Sequence, residues 1–313
     1  GDFGYYLGVF AVIAQRLTGA GIGIGVAYKY KSSTYVTLSA AAAGMIGAYA
    51  TTIISGSILS DGTLVYSGPG DPLSAFIAAL AGIAIGSLPA GKTKLDLLIT
   101  PAVTIITGGA AGIIVGPPVS AIMTKLGDVI NWGTVQQPLI MGVVVSVIMG
   151  MVLTLPISSA ALGIILGLTG PAAGAATIGC CCQMVGFAVA SFRENGVGGL
   201  LAQGIGTSML QVPNIVRKPV IWLPAILSSA ILGPVGTMLL HMTSNATGSG
   251  MGTAGLVGQI MTWQTMTVSE NPVSVLIKIL LFHFILPAIV TLVFSEAMRK
   301  HNMIKKGDME LSI

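Results

Sequence analysis

The sequence predicts an all-α polytopic integral membrane protein with about nine to ten transmembrane helices and two re-entrant hairpins. Three observations lead to this fold class: the composition, the apolar runs between charged residues, and two glycine-rich polar stretches. Of the 313 residues, 53% are hydrophobic and 8% are charged, and the mean hydropathy is +0.90. Because a soluble domain carries about 25% charged residues, the bilayer is the expected solvent of this chain.

Charged residues divide the chain into apolar runs of about the length of a membrane-spanning helix. The runs cover about 7–28, 35–59, 73–90, 97–116, 138–156, 157–170, 171–192, 220–240 and 275–297. The basic groups at their ends, up to the tail 299–306, are expected on the cytoplasmic side, because cytoplasmic loops are rich in Lys and Arg. The number of spans then places the N-terminus outside, so we expect one further helix before residue 1.

One segment, residues 118–132, is expected to form a short interfacial helix rather than a span. Apolar residues recur there at helical spacing, whereas Lys125 and Asp128 fall on the opposite side, a pattern typical of helices that lie in the membrane surface. The whole chain, 1–313, is expected to be a single transmembrane domain.

Two stretches, residues 194–214 and 243–259, are apolar enough to enter a membrane but rich in Gly, Ser, Thr, Asn and Gln. Irregular backbone at membrane depth is tolerated only where protein or water covers it. We therefore predict that both stretches are re-entrant and line an internal cavity.

Polar side chains in and near these stretches are the candidate ligand-binding groups. Their amide, carboxylate and imidazole groups suit the hydroxyls of a small polar solute. The candidate substrate-binding residues are Gln183, Glu194, Asn195, Gln211, Asn214, His241 and Asn245. Gln203, Thr207, Ser208, Thr247, Ser249 and Gln259 occupy the same stretches. Interhelical hydrogen bonding is the alternative role for part of the set.

Three further charged or titratable residues, Lys278, His283 and Glu296, lie within the last apolar run, and Lys278 is expected to reach the membrane surface. Glu296 is expected to pair with Arg299 or Lys300. For His283, a hydrogen-bonded packing role and a proton relay both stay open.

Enzyme and metal sites find no support in the sequence. Cys180, Cys181 and Cys182 are adjacent and lack metal-ligand spacing, so we interpret them as small packing residues, with a thiol site as the alternative. No HExxH, GxSxG or GxxxxGK[ST] motif occurs, and no clustered basic face for nucleic acid is present. We predict no catalytic residue, no metal and no cofactor.

Three segments carry a family resemblance: "GPGDPLSAFIAAL", residues 149–219 and "GSGMGTAGLVGQ". Over nearly its whole length the chain resembles the membrane IIC-type proteins of the bacterial phosphoenolpyruvate:sugar phosphotransferase system, in the branch that includes the perfringolysin O regulator. The resemblance implies a homodimer in the bacterial inner membrane, with about ten helices and two re-entrant hairpins around one sugar site. In that superfamily a Glu and a His bind the sugar, and Glu194 and His241 are the nearest matches here.

Two functions follow from these expectations. The first is a transport component that binds a sugar-like solute inside the membrane. Because the chain carries no phosphocysteine domain, it would be at most the membrane subunit of a sugar phosphotransferase and would need separate phosphocarrier subunits. The second is a membrane-embedded sensor or regulator that binds a ligand without transporting it. A passive channel is disfavoured by the scarcity of charge along the apolar runs.

Overall fold

A computed structural model of the protein describes residues 2–60, 62–66 and 70–311. Within these residues the chain is almost entirely helical, with one pair of two-residue strands. The chain divides into two compact units, Gly1–Lys125 and Leu126–Ile313, which are described separately below.

The first unit consists of helices and one short antiparallel strand pair. In chain order these are α1 (Asp2–Arg16), α2 (Thr18–Lys29), α3 (Thr34–Ala48), α4 (Ala50–Ile54), β1 (Leu59–Ser60), β2 (Thr63–Leu64), α5 (Pro72–Gly86) and most of α6 (Asp96–Thr134). Side chains fix the starts of two helices: the Ser33 hydroxyl accepts the N–H of Val36, and the Asp71 carboxylate accepts those of Leu73 and Ser74. These N-caps satisfy donors that a helix leaves free.

Glycines let the helices of this unit approach closely. A Cβ placed on Gly23 of α2 would overlap the carbonyl of Ala40 in α3, and one on Gly82 of α5 would lie 2.6 Å from the carbonyl oxygen of Thr104 in α6. In lipid, where apolar surface is not driven out of water, such close backbone packing is a main source of helix association.

The second unit contains the remaining helices. They are α7 (Pro138–Thr154), α8 (Ser159–Ile165), α9 (Gly170–Ala190), α10 (Phe192–Leu201), α11 (Val212–Arg217), α12 (Leu223–Leu239), α13 (Ala246–Ser249), α14 (Val257–Met266), α15 (Pro272–Leu280) and α16 (Leu286–Lys300). Two π-helical turns, Ala202–Gly206 and Leu281–Ile285, and three 3₁₀ turns, Ser208–Gln211, Pro219–Trp222 and Ala254–Leu256, join them.

Helix α9 is the centre of this unit and packs against α7, α12 and α16. It is almost entirely buried, as its sequence of Gly, Ala, Thr and Cys on all faces requires. The three cysteines lie within it, fully buried and unpaired. The Cys180 thiol donates to the carbonyl of Met149, and Cys182 belongs to an apolar cluster with Leu232 and Phe282. The packing role of the three cysteines stays an interpretation, with a thiol site as the alternative.

The helices include candidates for membrane spans. Within the described part of the chain, four are long and apolar enough to cross a bilayer: Asp96–Thr134, Gly170–Ala190, Pro219–Leu239 and Pro272–Lys300. A fifth arises if the pair Gly8–Arg16 and Thr18–Lys29, bent by 54°, is one span, and three shorter apolar helices are Thr34–Ala48, Pro72–Gly86 and Pro138–Thr154. The predicted all-α polytopic class is confirmed, whereas the count of nine to ten spans stays a prediction.

Residues 118–132 do not form a helix of their own. They are the last part of the 39-residue helix α6, which runs through Pro101, Pro117 and Pro118 without interruption. The fourth apolar run and the expected interfacial helix are therefore one continuous element. Where its second half lies relative to the membrane surface, and whether 1–313 is a single domain, remain predictions.

Candidate functional site

Both glycine-rich stretches fold as hairpins along α9. The second hairpin, residues 243–266, begins where the N–H of Ser244 donates to the carbonyl of Gly170 at the start of α9. It advances to Thr253, whose hydroxyl contacts the sulfur of Met184, and returns to Met266, which packs near Met242. Its chain therefore travels to about the middle of α9 and back.

The first hairpin, residues 192–217, starts at the other end of α9. The Gln203 amide donates to the hydroxyl of Ser191, at the end of α9. Ser208 lies farther in, hydrogen-bonded to Thr154, whose hydroxyl contacts Gln183 within α9. The two hairpins thus run along α9 from opposite ends, and Thr253 joins their tips by donating to the carbonyl of Gly204 at 2.5 Å.

A polar cluster lies beside these tips and centres on Gln183, one of the predicted site residues. Its Oε1 accepts the indole N–H of Trp222 at 2.8 Å and the hydroxyl of Thr154 at 3.3 Å. Its Nε2 is fully buried and has no hydrogen-bond partner. A buried amide N–H without an acceptor costs about 1–3 kcal/mol, so this group is a position where a ligand oxygen would be stabilising.

A second polar group packs against α9 from the returning arm of the second hairpin. Gln259 Nε2 lies 3.2 Å from Nδ1 of His283 and 3.4 Å from the sulfur of Cys181. His283 is buried within the π-helical turn Leu281–Ile285, an irregularity that is frequent at functional sites. The Gln259 Oε1 and Thr262 hydroxyl atoms are buried without partners. His283 is thus hydrogen-bonded and packed, while its use as a proton relay stays open.

Four of the predicted site residues hold the C-terminal segment of the chain. Asn195 and Gln211 donate to the carbonyl of Met309 at 2.9 and 3.0 Å, and Asn214 donates to that of Glu310 at 2.9 Å. The Glu194 carboxylate accepts from Arg299 at 3.2 Å and from the N–H of Gly307 at 3.0 Å. These bonds engage their polar groups within the chain, except for Oε2 of Glu194, which is buried without a partner.

The two remaining predicted residues lie at the opposite end of α9. Asn245 caps α13 by accepting the N–H of Gly248 at 3.0 Å, and His241 is an exposed residue with a left-handed backbone, φ 51°. Since α9 has 21 residues and a helix rises about 1.5 Å per residue, roughly 30 Å of helix separates this end from Glu194. The structure does not bring Glu194 and His241 together.

The Glu296 pairing differs from expectation. Glu296 binds Arg193 at 3.2 Å, and Arg299 binds Glu194 instead. Residues three and four apart on a helix face each other, which favoured Arg299 and Lys300 as partners. Tertiary packing offered each charge a partner about one hundred residues away.

Three residues of the polar cluster were not singled out from the sequence: Thr154, Trp222 and Thr253. Each is a single polar or aromatic residue within an apolar or glycine-rich segment, and each reaches its partner across at least 29 positions of sequence. Helical periodicity reports only neighbours three or four residues away, so no local signal marked them.

Among the described residues, no group of three His, Cys, Asp or Glu side chains could hold a metal ion. A family model described as "Phosphotransferase system, EIIC" matches residues 3–311, nearly the whole chain. No curated protein and no solved structure matches the chain.

Proposed function

The chain belongs to the phosphotransferase system EIIC family, and we propose that its sugar binds at the polar cluster around Gln183, between the two hairpin tips. Family membership makes the protein a multi-pass membrane sugar transport component. The location of the site and the manner of transport form the proposal.

The unpartnered amide nitrogen of Gln183 is the observation that supports this location. A sugar hydroxyl placed there would accept from Nε2. The hydroxyls of Thr154 and Ser208, which now bond each other at 2.9 Å, can donate and accept toward the same ligand. Trp222 is half-buried and adds an apolar ring surface of the kind that lines ligand sites.

The hairpins supply a route for alternating access. One runs in from each end of α9, so separation of one tip from the cluster would open the site toward one end only. Discontinuous helices that meet near the midplane are a recurrent design of transporters. We propose that the bond between Thr253 and Gly204 is made and broken in this cycle.

The family resemblance of the sequence also supports an expected membrane, oligomeric state and set of partner subunits. We propose a homodimer in the bacterial inner membrane, served by separate phosphocarrier subunits if the sugar is phosphorylated on entry. No residue of this chain is assigned a phosphoryl-transfer step.

Binding and counterflow in proteoliposomes test the proposal. Purified protein is screened with a panel of radiolabelled sugars and polyols, and the best ligand is measured with Gln183→Leu and with Gln264→Leu as the matched control, because Gln264 is exposed. We expect Gln183→Leu to weaken binding at least about tenfold, equivalent to about 1.4 kcal/mol, and Gln264→Leu to leave it unchanged. Equal sugar affinity of the two variants would show that the sugar binds elsewhere and not at Gln183.

A second variant guards against a structural effect at Gln183. Trp222→Phe keeps the ring but removes the N–H that orients the Gln183 amide, so we expect weaker sugar binding with little change in melting temperature. Trp263→Phe is the control, since Trp263 is 37% exposed and is not a hydrogen-bond partner of Gln183.

The sensor remains the second candidate function. It predicts saturable sugar binding in the same experiment without counterflow. Counterflow that depends on Gln183 would exclude a sensor that does not transport.

A further inference from the structure

The C-terminal segment, residues 302–311, lies across the open end of the first hairpin and contacts both of its arms. On the outgoing arm, Asn195 forms two bonds: its Nδ2 donates to Met309 O, and its Oδ1 accepts the N–H of Leu311 at 2.8 Å. On the returning arm, Gln211 and Asn214 donate to the carbonyls of Met309 and Glu310. The segment thus bridges the two arms of the hairpin.

Two apolar side chains anchor the segment. Met309 is 0% exposed and Ile304 is 2% exposed. Both belong to a cluster that includes Phe187 of α9, Ile215 of α11 and Ala225 of α12. An ion pair adds to the anchors, because Lys218, just after the returning arm, binds Asp308 at 2.5 Å. Apolar burial and main-chain hydrogen bonds together are the means by which grooves bind extended peptides.

The segment has the properties of a detachable element. It follows α16 directly, has only turns and bends as secondary structure, and leaves Lys305, Lys306 and Met303 exposed between its anchors. Segments without helical hydrogen bonds of their own open at lower free energy than the packed helices beside them, and the direct connection to α16 keeps the released segment at high local concentration.

We propose that residues 302–311 form a strap that holds the two arms of the first hairpin together and that must leave before this hairpin can move. The strap occupies the amides of Asn195, Gln211 and Asn214 through its own backbone. These side chains are therefore strap-binding residues, which explains why so polar a group lies within an apolar chain. The inference concerns the mobility of the hairpin and holds for any solute.

Hydrogen exchange read by mass spectrometry on the full-length protein in nanodiscs tests the strap. Met309→Asp places a charge in the apolar cluster, and Met303→Asp is the matched control on the same segment, since Met303 is 44% exposed. In Met309→Asp we expect exchange in residues 205–217 to accelerate about tenfold through local opening, while α9 and α12 stay protected. Met303→Asp should behave like the unaltered protein.

Addition of a synthetic peptide of residues 302–311 completes the test. In excess it should restore protection of residues 205–217 in Met309→Asp, and a peptide carrying the same Met309→Asp change should not. Unchanged exchange in the hairpin would overturn the proposal. Loss of protection throughout α9 and α12 would also overturn it, because the segment would then be part of the fold rather than a strap. Neither readout depends on a sugar, so failure here is distinct from failure of the proposed transport site.

Discussion

The hydroxyl of Thr253 donates to the backbone carbonyl of Gly204 across 2.5 Å, and this bond joins the tips of two hairpins that start at opposite ends of α9. Thr253 is fully buried, and its hydroxyl also contacts the sulfur of Met184. The tips therefore meet beside the central helix, next to the cluster around Gln183. This hydrogen bond connects the two elements that the proposed transport cycle would separate.

Thr253→Val removes this connection while keeping the shape of the side chain. The bond is worth about 0.5–1.5 kcal/mol net, so the melting temperature should fall only slightly, whereas the rate of sugar counterflow should change at least about twofold because the tips separate more easily. Thr267→Val is the control, since the Thr267 hydroxyl bonds within its own helix, to Trp263. Identical counterflow in the two variants would show that the tip contact has no role in transport.

The sequence predicted the all-α membrane fold class, because this class depends on composition, and the re-entrant character of residues 194–214 and 243–259 stays a prediction. A low fraction of charged residues indicates that the bilayer is the solvent of the chain. Stretches rich in glycine and polar residues within an apolar chain indicate backbone that cannot face lipid. The mutual contacts of Gln203, Gln211 and Asn214 also follow from their placement in one short stretch.

The use of the predicted residues could not be read from the sequence. Glu194 and Asn195 find their partners 105 to 116 positions away, in Arg299 and the C-terminal segment. A carboxylate and amides in an apolar setting indicate only that partners exist, because a buried polar group must be satisfied. Whether the partner is a solute or another part of the chain is decided by tertiary packing.

Gly179→Ala should destabilise the protein strongly. A Cβ at this position in α9 would overlap the carbonyl of Ser146 in α7, and neither backbone can yield without shifting a helix. Overpacking of this kind costs about 1–3 kcal/mol or more. Thermal unfolding in detergent measures the effect, with Gly198→Ala as the control because nothing lies within 4 Å of a Cβ there. Equal melting temperatures would contradict the close contact of α7 and α9.

Docking of the C-terminal segment should be insensitive to pH until the solution becomes strongly acidic. Burial raises the pKa of Asp308, but the hydrogen bonds and charges of Lys218 and Lys305 outweigh this effect, so the pKa lies below its usual value of 3.8. A carboxyl group with a lowered pKa contributes stability above its unfolded pKa and loses it as the pH falls through the lowered value.

Hydrogen exchange of residues 303–311, corrected for the intrinsic effect of pH, should therefore be constant from about pH 8 to about pH 4.5. Asp308→Asn should raise exchange over that whole range, because the pairing with Lys218 is lost at every pH. A protection that decays between pH 7 and pH 5 would assign the docking to another titrating group.

Arg299→Ala should be costly, because it leaves the Glu194 carboxylate buried without its cation. Glu194 is 3% exposed and Arg299 is 13% exposed, at 3.2 Å, and Oε2 of Glu194 already lacks a partner. Removal of one member of a buried pair costs about 3–5 kcal/mol, whereas Arg193→Ala breaks the more exposed pair with Glu296 and should cost at most about 1 kcal/mol. Thermal unfolding compares the two variants.

Sugar affinity separates this structural role of Glu194 from a ligand-binding one. Glu194→Gln should lower the melting temperature but keep the sugar affinity within about threefold, less than 1 kcal/mol. Loss of sugar binding in a Glu194→Gln protein of normal stability would show that Glu194 is part of the sugar site.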